Sequence, residues 1–400
     1  MAARTPMADL YERVAATLQP YGSAERGLLV PMAFGEVELE YAALRRGCVV
    51  VDLPHHGTLS ITGGDRIDFL NNVVTQELKG LQPYATTRSF WLNRKGRIDA
   101  DLRLCELGDR MLVDVDALVA SDTSASLGEF VFAEDVAIED ASDHLHRMAL
   151  HGPRASALLE AAADTDQAVA MPDGVAIDLA IRGVRVLVER EDATGEPGFV
   201  LTVPADDAAV VYRHLFEAGG GGFEQAASGF DPATADDARN DHAFGLRPAG
   251  WMAYNIARIE AGWPLFQIDF DTESLPAETA VLRDRVSFTK GCYLGQEVVA
   301  RMDALGKPKQ LLVALHPEPG AEPHLPIEGA EVLRPDEPDG KPVGTVTSST
   351  VSPMLGARPI CFAKVRTAHA TEGGALLIRV DGVLAPFVVQ PRLRSWPMEA

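Results

Sequence analysis

The segment with the sharpest chemistry is Lys290-Gly291-Cys292-Tyr293-Leu294-Gly295-Gln296-Glu297. Gly291 and Gly295 permit a tight backbone path. The pattern from Gln296 to Met302 predicts a helix, which sets Cys292 just before a helix N-terminus. That end carries partial positive charge and Lys290 adds more, so both favour a thiolate over a thiol. Cys292 is thus a candidate nucleophile, redox group or transient ligand. The competing assignment is a small buried hydrophobe, a common fate of free cysteine.

Other chemistry-bearing residues are less decisive. Arg258 and Glu260 sit on a predicted helix, where position alone favours solvated charges. His55 and His56 are adjacent, so on an extended strand they point to opposite sides and do not form a metal pair. Tyr84, Trp91 and Trp251 could flank a flat ring, although core packing is the commoner use of such side chains. Arg88, Arg94, Lys95, Arg97 and Arg103 are either a solvated hairpin face or a cradle for an anion. The four cysteines, at 48, 105, 292 and 361, show no CxxC spacing. A disulfide framework or structural zinc site is therefore not expected, and a reducing compartment suits the chain.

These residues need elements to position them. A helix is predicted over 7–19 from Leu10, Val14 and Leu18, and a second over about 36–46, followed by a strand at VVVDL. Residues 89–94, 97–106 and 110–115 read as an antiparallel meander with turns at Gly96 and Gly108. Pro248 suits the first turn of a helix reaching about Ala261. Beyond residue 310 short strand-like runs recur, at 310–315, 342–349, 359–365, 375–380 and 385–390. The Pro-, Glu-, Asp- and Gly-rich stretch 317–342 reads as exposed loops. The expected organisation is α+β: an N-terminal extension (1–35), a larger α+β region (36–300) and a small β-barrel or sandwich (310–400).

The net charge of −22 disfavours broad nucleic-acid binding. No run of about 18 apolar residues is present, so no membrane span is expected. The N-terminus lacks a signal-peptide core, and Asp9 and Glu12 argue against a transit peptide, which points to a soluble, cytoplasmic protein.

The segment Lys290 to Glu297 resembles the K-G-C-Y-x-G-Q-E signature of the YgfZ family, and Phe288, Thr289, Val299 and Arg301 extend the match. Arg258-Ile259-Glu260-Ala261-Gly262 resembles the R-x-E-A-G segment of the wider aminomethyltransferase (glycine-cleavage T-protein) superfamily. Leu92-Asn93 with Lys95 to Ile98 resembles its L-N-x-K-G-R-I hairpin, Gly195 to Phe199 its G-E-x-G-F turn, and Gly344 to Gly356 its barrel motif. The resemblance spans roughly residues 35–395. It implies a three-lobed folate-binding fold with a C-terminal barrel and a ligand of tetrahydrofolate or a one-carbon derivative. Cys292 and Asp101 are then the candidates for chemistry. Asn93, Glu196, Arg258, Glu260, Lys290 and Tyr293 are the candidates for contact with folate. Glu196 matches a carboxylate that faces the pterin, where it can accept paired N–H bonds. Arg258 would bind an anionic folate tail or brace a neighbouring carboxylate.

The YgfZ resemblance implies an accessory role toward iron–sulfur proteins or their assembly factors, including enzymes that modify tRNA. A single cysteine cannot hold a cluster alone, so any cluster contact would be shared with a partner. The alternative is a folate-dependent aminomethyltransferase or demethylase. The transferase pattern has two adjacent acids where this chain has Ala100-Asp101, preceded by Asp99. Asp52 to His56 also departs from that pattern, and Gln267 stands where relatives often carry glycine.

Overall fold

The computed structural model describes residues 5–22, 27–164, 171–227, 244–306 and 308–395. It divides into two compact units that interleave in sequence. The first comprises residues 1–66, 80–87 and 103–254, and the second residues 67–79, 88–102 and 255–400.

The first unit is organised by a six-stranded sheet ordered Ala176–Ile181, Val184–Arg190, Gly198–Pro204, Leu145–His151, Cys48–Asp52 and Leu246–Ala249. Neighbours are antiparallel except the last pair, which is parallel. All five residues of Cys48–Asp52 are buried, as a near-continuous apolar run requires of an interior strand. Helices Ala155–Ala162 and Ala208–Ala218 cover one face of the sheet. Leu158, Leu159, Val211, Tyr212 and Leu215 meet Val50, Leu150, Val188 and Phe199 in one core. A second antiparallel set runs Ala137–Asp140, His56–Thr62 and Arg110–Asp116, then residues 103–106 of the strand Ile98–Glu106.

Buried charges in this unit are matched. Arg103 lies between Glu189 and Glu191 and donates to the Arg190 carbonyl at 2.7 Å. Arg147 pairs with Asp114 at 3.6 Å, and His56 Nδ1 meets the same carboxylate at 2.9 Å. Against the burial that would raise it, Arg147 and His56 hold the Asp114 carboxyl well below the usual carboxylate range.

The helix expected over 7–19 is shorter. It covers Ala8–Arg13, and Thr17–Tyr21 is a strand paired with Leu28–Ala33. Ala15 at φ 51° ends the helical path, and strand pairing overrides the apolar spacing that favoured a longer helix. Met7, Leu10, Tyr11 and Phe34 join the core, with the Tyr11 and Phe34 rings 5.1 Å apart. Pro248 does not open the next helix. It lies in the strand, in register with Val50, and the helix begins at Trp251.

The second unit carries a closed six-stranded barrel ordered Gln310–Pro317, Arg358–Arg366, Gly344–Ser352, Glu331–Leu333, Ala375–Val380 and Val383–Val389. Leu315, Val346, Ala363, Ile378 and Phe387 fill its interior. The strand Glu331–Leu333 lies inside the stretch expected to be exposed loop. It is only three residues long, below what periodicity detects, yet Val332 and Leu333 are fully buried.

Arg258 joins this unit to itself. It is fully buried and ion-paired with Asp269, whose other oxygen accepts from Thr347 and Ser348 of the barrel. Asp269→Asn leaves a buried guanidinium uncompensated, and a loss of about 3–5 kcal/mol in unfolding free energy is expected. Urea titration measures it; a loss below about 1 kcal/mol would remove the pair from any organising role.

Candidate functional site

In the second unit, the loop bearing Cys292 is fixed at both ends. Lys290 Nζ is buried and donates to the carbonyls of Asn71 at 2.5 Å, Val74 at 2.7 Å and Gln76 at 2.8 Å. These include acceptors that the end of a helix leaves unpaired. The Tyr293 ring lies 5.3 Å from the same ammonium and is itself buried. Gly295, at φ 81°, caps the helix Gln296–Leu305. A Cβ on Gly295 would stand 3.1 Å from the Asn93 carbonyl oxygen and the Gly96 Cα. A Cβ on Gly96, itself at φ 72°, would stand 2.6 Å from Val298. Two turns without side chains therefore nest together.

Between those fixed ends Cys292 is exposed, whereas Cys48, Cys105 and Cys361 are buried. The expectation of a small buried hydrophobe fails, and the thiol is accessible. Lys290 directs its three donors to carbonyls rather than to the thiol.

The hairpin beside this loop is organised by Asn93. Its Oδ1 accepts from the backbone of Lys95 at 3.0 Å and Arg97 at 3.2 Å, and its Nδ2 donates to Asp99 at 2.8 Å. Burial pushes the Asp99 carboxyl up, and the Asn93 amide opposes that. On the strand that follows, Asp101 Oδ1 accepts from Arg285 Nε at 3.3 Å. Its Oδ2 has no hydrogen-bond partner among the described residues. Ala100, in the place of the second acid, is fully buried.

Arg258 and Glu260 are engaged elsewhere in the second unit, although Arg258 Nη2 has no partner among the described residues. Arg258 Nε donates to Asn255 at 2.8 Å, and its other contacts are Asp269 and the Trp263 carbonyl. Glu260 is fully buried and accepts from Ser352 Oγ and the Met354 backbone. Arg258 thus braces a carboxylate, one of the two roles expected of it. The basic stretch of the hairpin is dispersed. Arg97 pairs with Glu273, the Arg88 guanidinium lies 5.1 Å over the Trp263 ring, and Arg103 is buried in the first unit.

Glu196 lies in the first unit, on the turn between Val184–Arg190 and Gly198–Pro204. Asp192 shapes that turn by accepting from Gly198 at 2.9 Å. Arg45, from the helix Val37–Arg46, donates to Glu196 Oε1 at 3.1 Å and to the Thr194 carbonyl at 2.8 Å. Glu196 Oε2 has no hydrogen-bond partner among the described residues, and the side chain is about a quarter exposed. Arg45 is steadied by Tyr41 one turn earlier, at 3.1 Å. Trp91 is core, and Tyr84 donates to Asp178 at 2.5 Å. Trp251 packs on His55 at 5.6 Å, leaving it only partly covered.

Residues 7–230 match the family model described as GCVT N-terminal domain, and residues 310–393 match the glycine cleavage T-protein C-terminal barrel domain. The chain belongs to the glycine cleavage T-protein family. Similar proteins include the aminomethyltransferase of Bacillus subtilis (strain 168), 27% identical with 89% of each chain covered. The aminomethyltransferase of Thermus thermophilus is 27% identical over 98% of this chain and 96% of its own. Among solved structures, the glycine cleavage system aminomethyltransferase T from Bartonella henselae matches with a TM-score of 0.80 at 20% identity, covering 99% of both chains. At that identity the match speaks to the fold. The T-protein match begins at residue 7, so it includes most of the stretch that the motifs in the sequence leave uncovered.

Two residues that matter here were not singled out in the sequence: Arg45 and Arg285, the partners of the two candidate carboxylates. Nothing local marks them. Each is an ordinary helix-borne arginine whose role depends on a residue about 150 or more positions away in the chain.

The thiols give a direct check on this geometry. Native protein should react with one equivalent of an aromatic disulfide reagent, at Cys292, and denatured protein with four. Burial pushes the Cys48, Cys105 and Cys361 thiols up, which further slows them. No reaction in the native state, or two or more equivalents, would contradict this arrangement.

Proposed function

We propose that this T-protein family member binds tetrahydrofolate or a one-carbon derivative and transfers a one-carbon unit, aminomethyl in kind. The observation that carries this reading is the state of two carboxylates. Asp101 and Glu196 each have one oxygen held by an arginine and the other free of protein partners. The other conspicuous charges, Arg258, Glu260 and Lys290, are committed to the fold. Relatives across nearly the full length are named aminomethyltransferase, which supports the same reading.

In this scheme the free oxygen of Glu196 accepts N–H bonds from the pterin edge, with Arg45 fixing the carboxylate plane. Asp101 favours the positive charge that develops on nitrogen as a one-carbon unit changes hands, and it can take up the proton released. Only one acid is present at this point, since Ala100 occupies the adjacent position. The protein therefore works with half the negative charge of the paired-acid pattern. A donor that already carries positive charge needs less help from the protein and suits this site better.

Cys292 favours a second reading, that of a folate-binding accessory to iron–sulfur proteins in the manner of the YgfZ family. Its thiol is exposed on a loop fixed at both ends, and the transfer scheme leaves it idle.

The two readings separate experimentally. With tetrahydrofolate and an aminomethyl donor, formation of 5,10-methylenetetrahydrofolate is expected. Asp101→Asn should lower turnover by about 10²–10⁴-fold, and Glu196→Ala should weaken folate binding by about 10-fold or more. Cys292→Ser should leave both unchanged. Folate binding without turnover, together with depressed iron–sulfur enzyme activities in Cys292→Ser cells, would displace transfer in favour of the accessory role.

A further inference from the structure

The second unit contains a cavity of about 580 Å³ with Arg285 and Trp263 in its wall. That size falls within the range of small-molecule sites, about 300–1,000 Å³. Its walls mix apolar groups, with Leu312 and Ala314 from the barrel strand Gln310–Pro317, Leu393 and Trp263 among them, and charged ones that include Asp284, Glu372 and Arg394. The Arg88 guanidinium lies over the Trp263 ring at 5.1 Å, which holds the indole in place.

One charged group in the wall has donors to spare. Arg285 is buried as a residue, at 3% exposed. Among the described residues its guanidinium makes one hydrogen bond, the 3.3 Å contact from Nε to Asp101. Nη1 lies 3.8 Å from the exposed Asp284, beyond hydrogen-bond length. Its charge is balanced by Asp101 and Asp284, but its terminal N–H groups keep some accessible surface and have no protein acceptor among the described residues. Here the unmet edge belongs to a residue that lines an empty-walled cavity, and the exposed Arg392 stands at the same cavity.

We propose that this cavity binds a small, flat carboxylic acid, with Arg285 as its anchor. The two terminal N–H groups of a guanidinium match the two oxygens of a carboxylate. The apolar groups of the wall and the indole then cover the body of the ligand. Asp101 stays on Nε, so one arginine serves both carboxylates. Occupancy of the cavity thereby adds negative charge beside Asp101. The site itself stands on Arg285 and the cavity; only its effect on Asp101 rests on the transfer reading above.

The test is a calorimetric titration of the full chain with 2-naphthoate and, as the uncharged control, 2-naphthamide. Saturable one-to-one binding of the naphthoate is expected, with the amide at least tenfold weaker. Arg285→Gln should lose tenfold or more in naphthoate affinity, and Arg392→Gln, at an exposed position, a few-fold. If Arg285→Gln does not fold, the acid–amide comparison on the natural protein and the Arg392 variant still decide. Absence of saturable naphthoate binding, equal affinity for the amide, or unchanged affinity in folded Arg285→Gln would overturn the proposal. Tetrahydrofolate is titrated separately. Naphthoate binding without folate binding sinks the folate reading alone, and the reverse result sinks this one alone.

Discussion

The second unit depends on one buried ion pair, Arg258 with Asp269. Both side chains are fully withdrawn from water, where a lone charge would be very costly. The pair is tolerable because the surroundings complete it. Asp269 also accepts from the Leu265 backbone at 2.9 Å and from two barrel hydroxyls, and Arg258 also reaches Asn255 and the Trp263 carbonyl. Two residues further along the helix, Glu260 repeats the arrangement with Ser352 at the end of the same barrel strand. The helix and the strand Gly344–Ser352 are thus held in one relation by polar contacts that tolerate little displacement.

This constraint sorts the charged residues by what they have left to offer. A carboxylate or cation whose lone pairs or protons are all taken by the fold can position others but cannot hold a ligand. Lys290 is of that kind, and Arg258 nearly so, with Nη2 left without a partner among the described residues. Asp101 and Glu196 are half-committed: an arginine fixes each in orientation while one oxygen stays available. Orientation combined with spare acceptor capacity is what binding and proton transfer both require. Arg285 shows the same half-commitment with the opposite charge.

Much of the fold was legible because strong patterns coincided. The run Cys48 to Asp52, the meander around Gly96 and Gly108, and five of the six barrel strands lie where apolar periodicity and turn residues put them. The short strand Glu331–Leu333 was not legible, because three residues embedded in prolines and acids carry no period. The helix at residues 8–13 was over-extended, because Val14 and Leu18 fit a helical stripe although the chain turns at Ala15. At the site, the motif around Cys292 marks an accessible thiol, but the contacts of Lys290 leave no trace in it. Proximity in sequence suggested charge beside sulfur, whereas three distant carbonyls claim the ammonium. The partners of Glu196 and Asp101 were invisible for the same reason: long-range pairing leaves no local trace.

The nesting of Gly96 and Gly295 has a consequence for how this protein can change over time. The hairpin and the cysteine loop are about 200 residues apart in the chain, yet each occupies space that a side chain on the other would fill. Neither segment can acquire bulk without a matching retreat across the gap. Variation at the two positions is therefore locked together, and divergence in this part of the molecule must proceed by paired steps or be diverted to neighbours such as Arg94 and Lys95, whose side chains project into solvent.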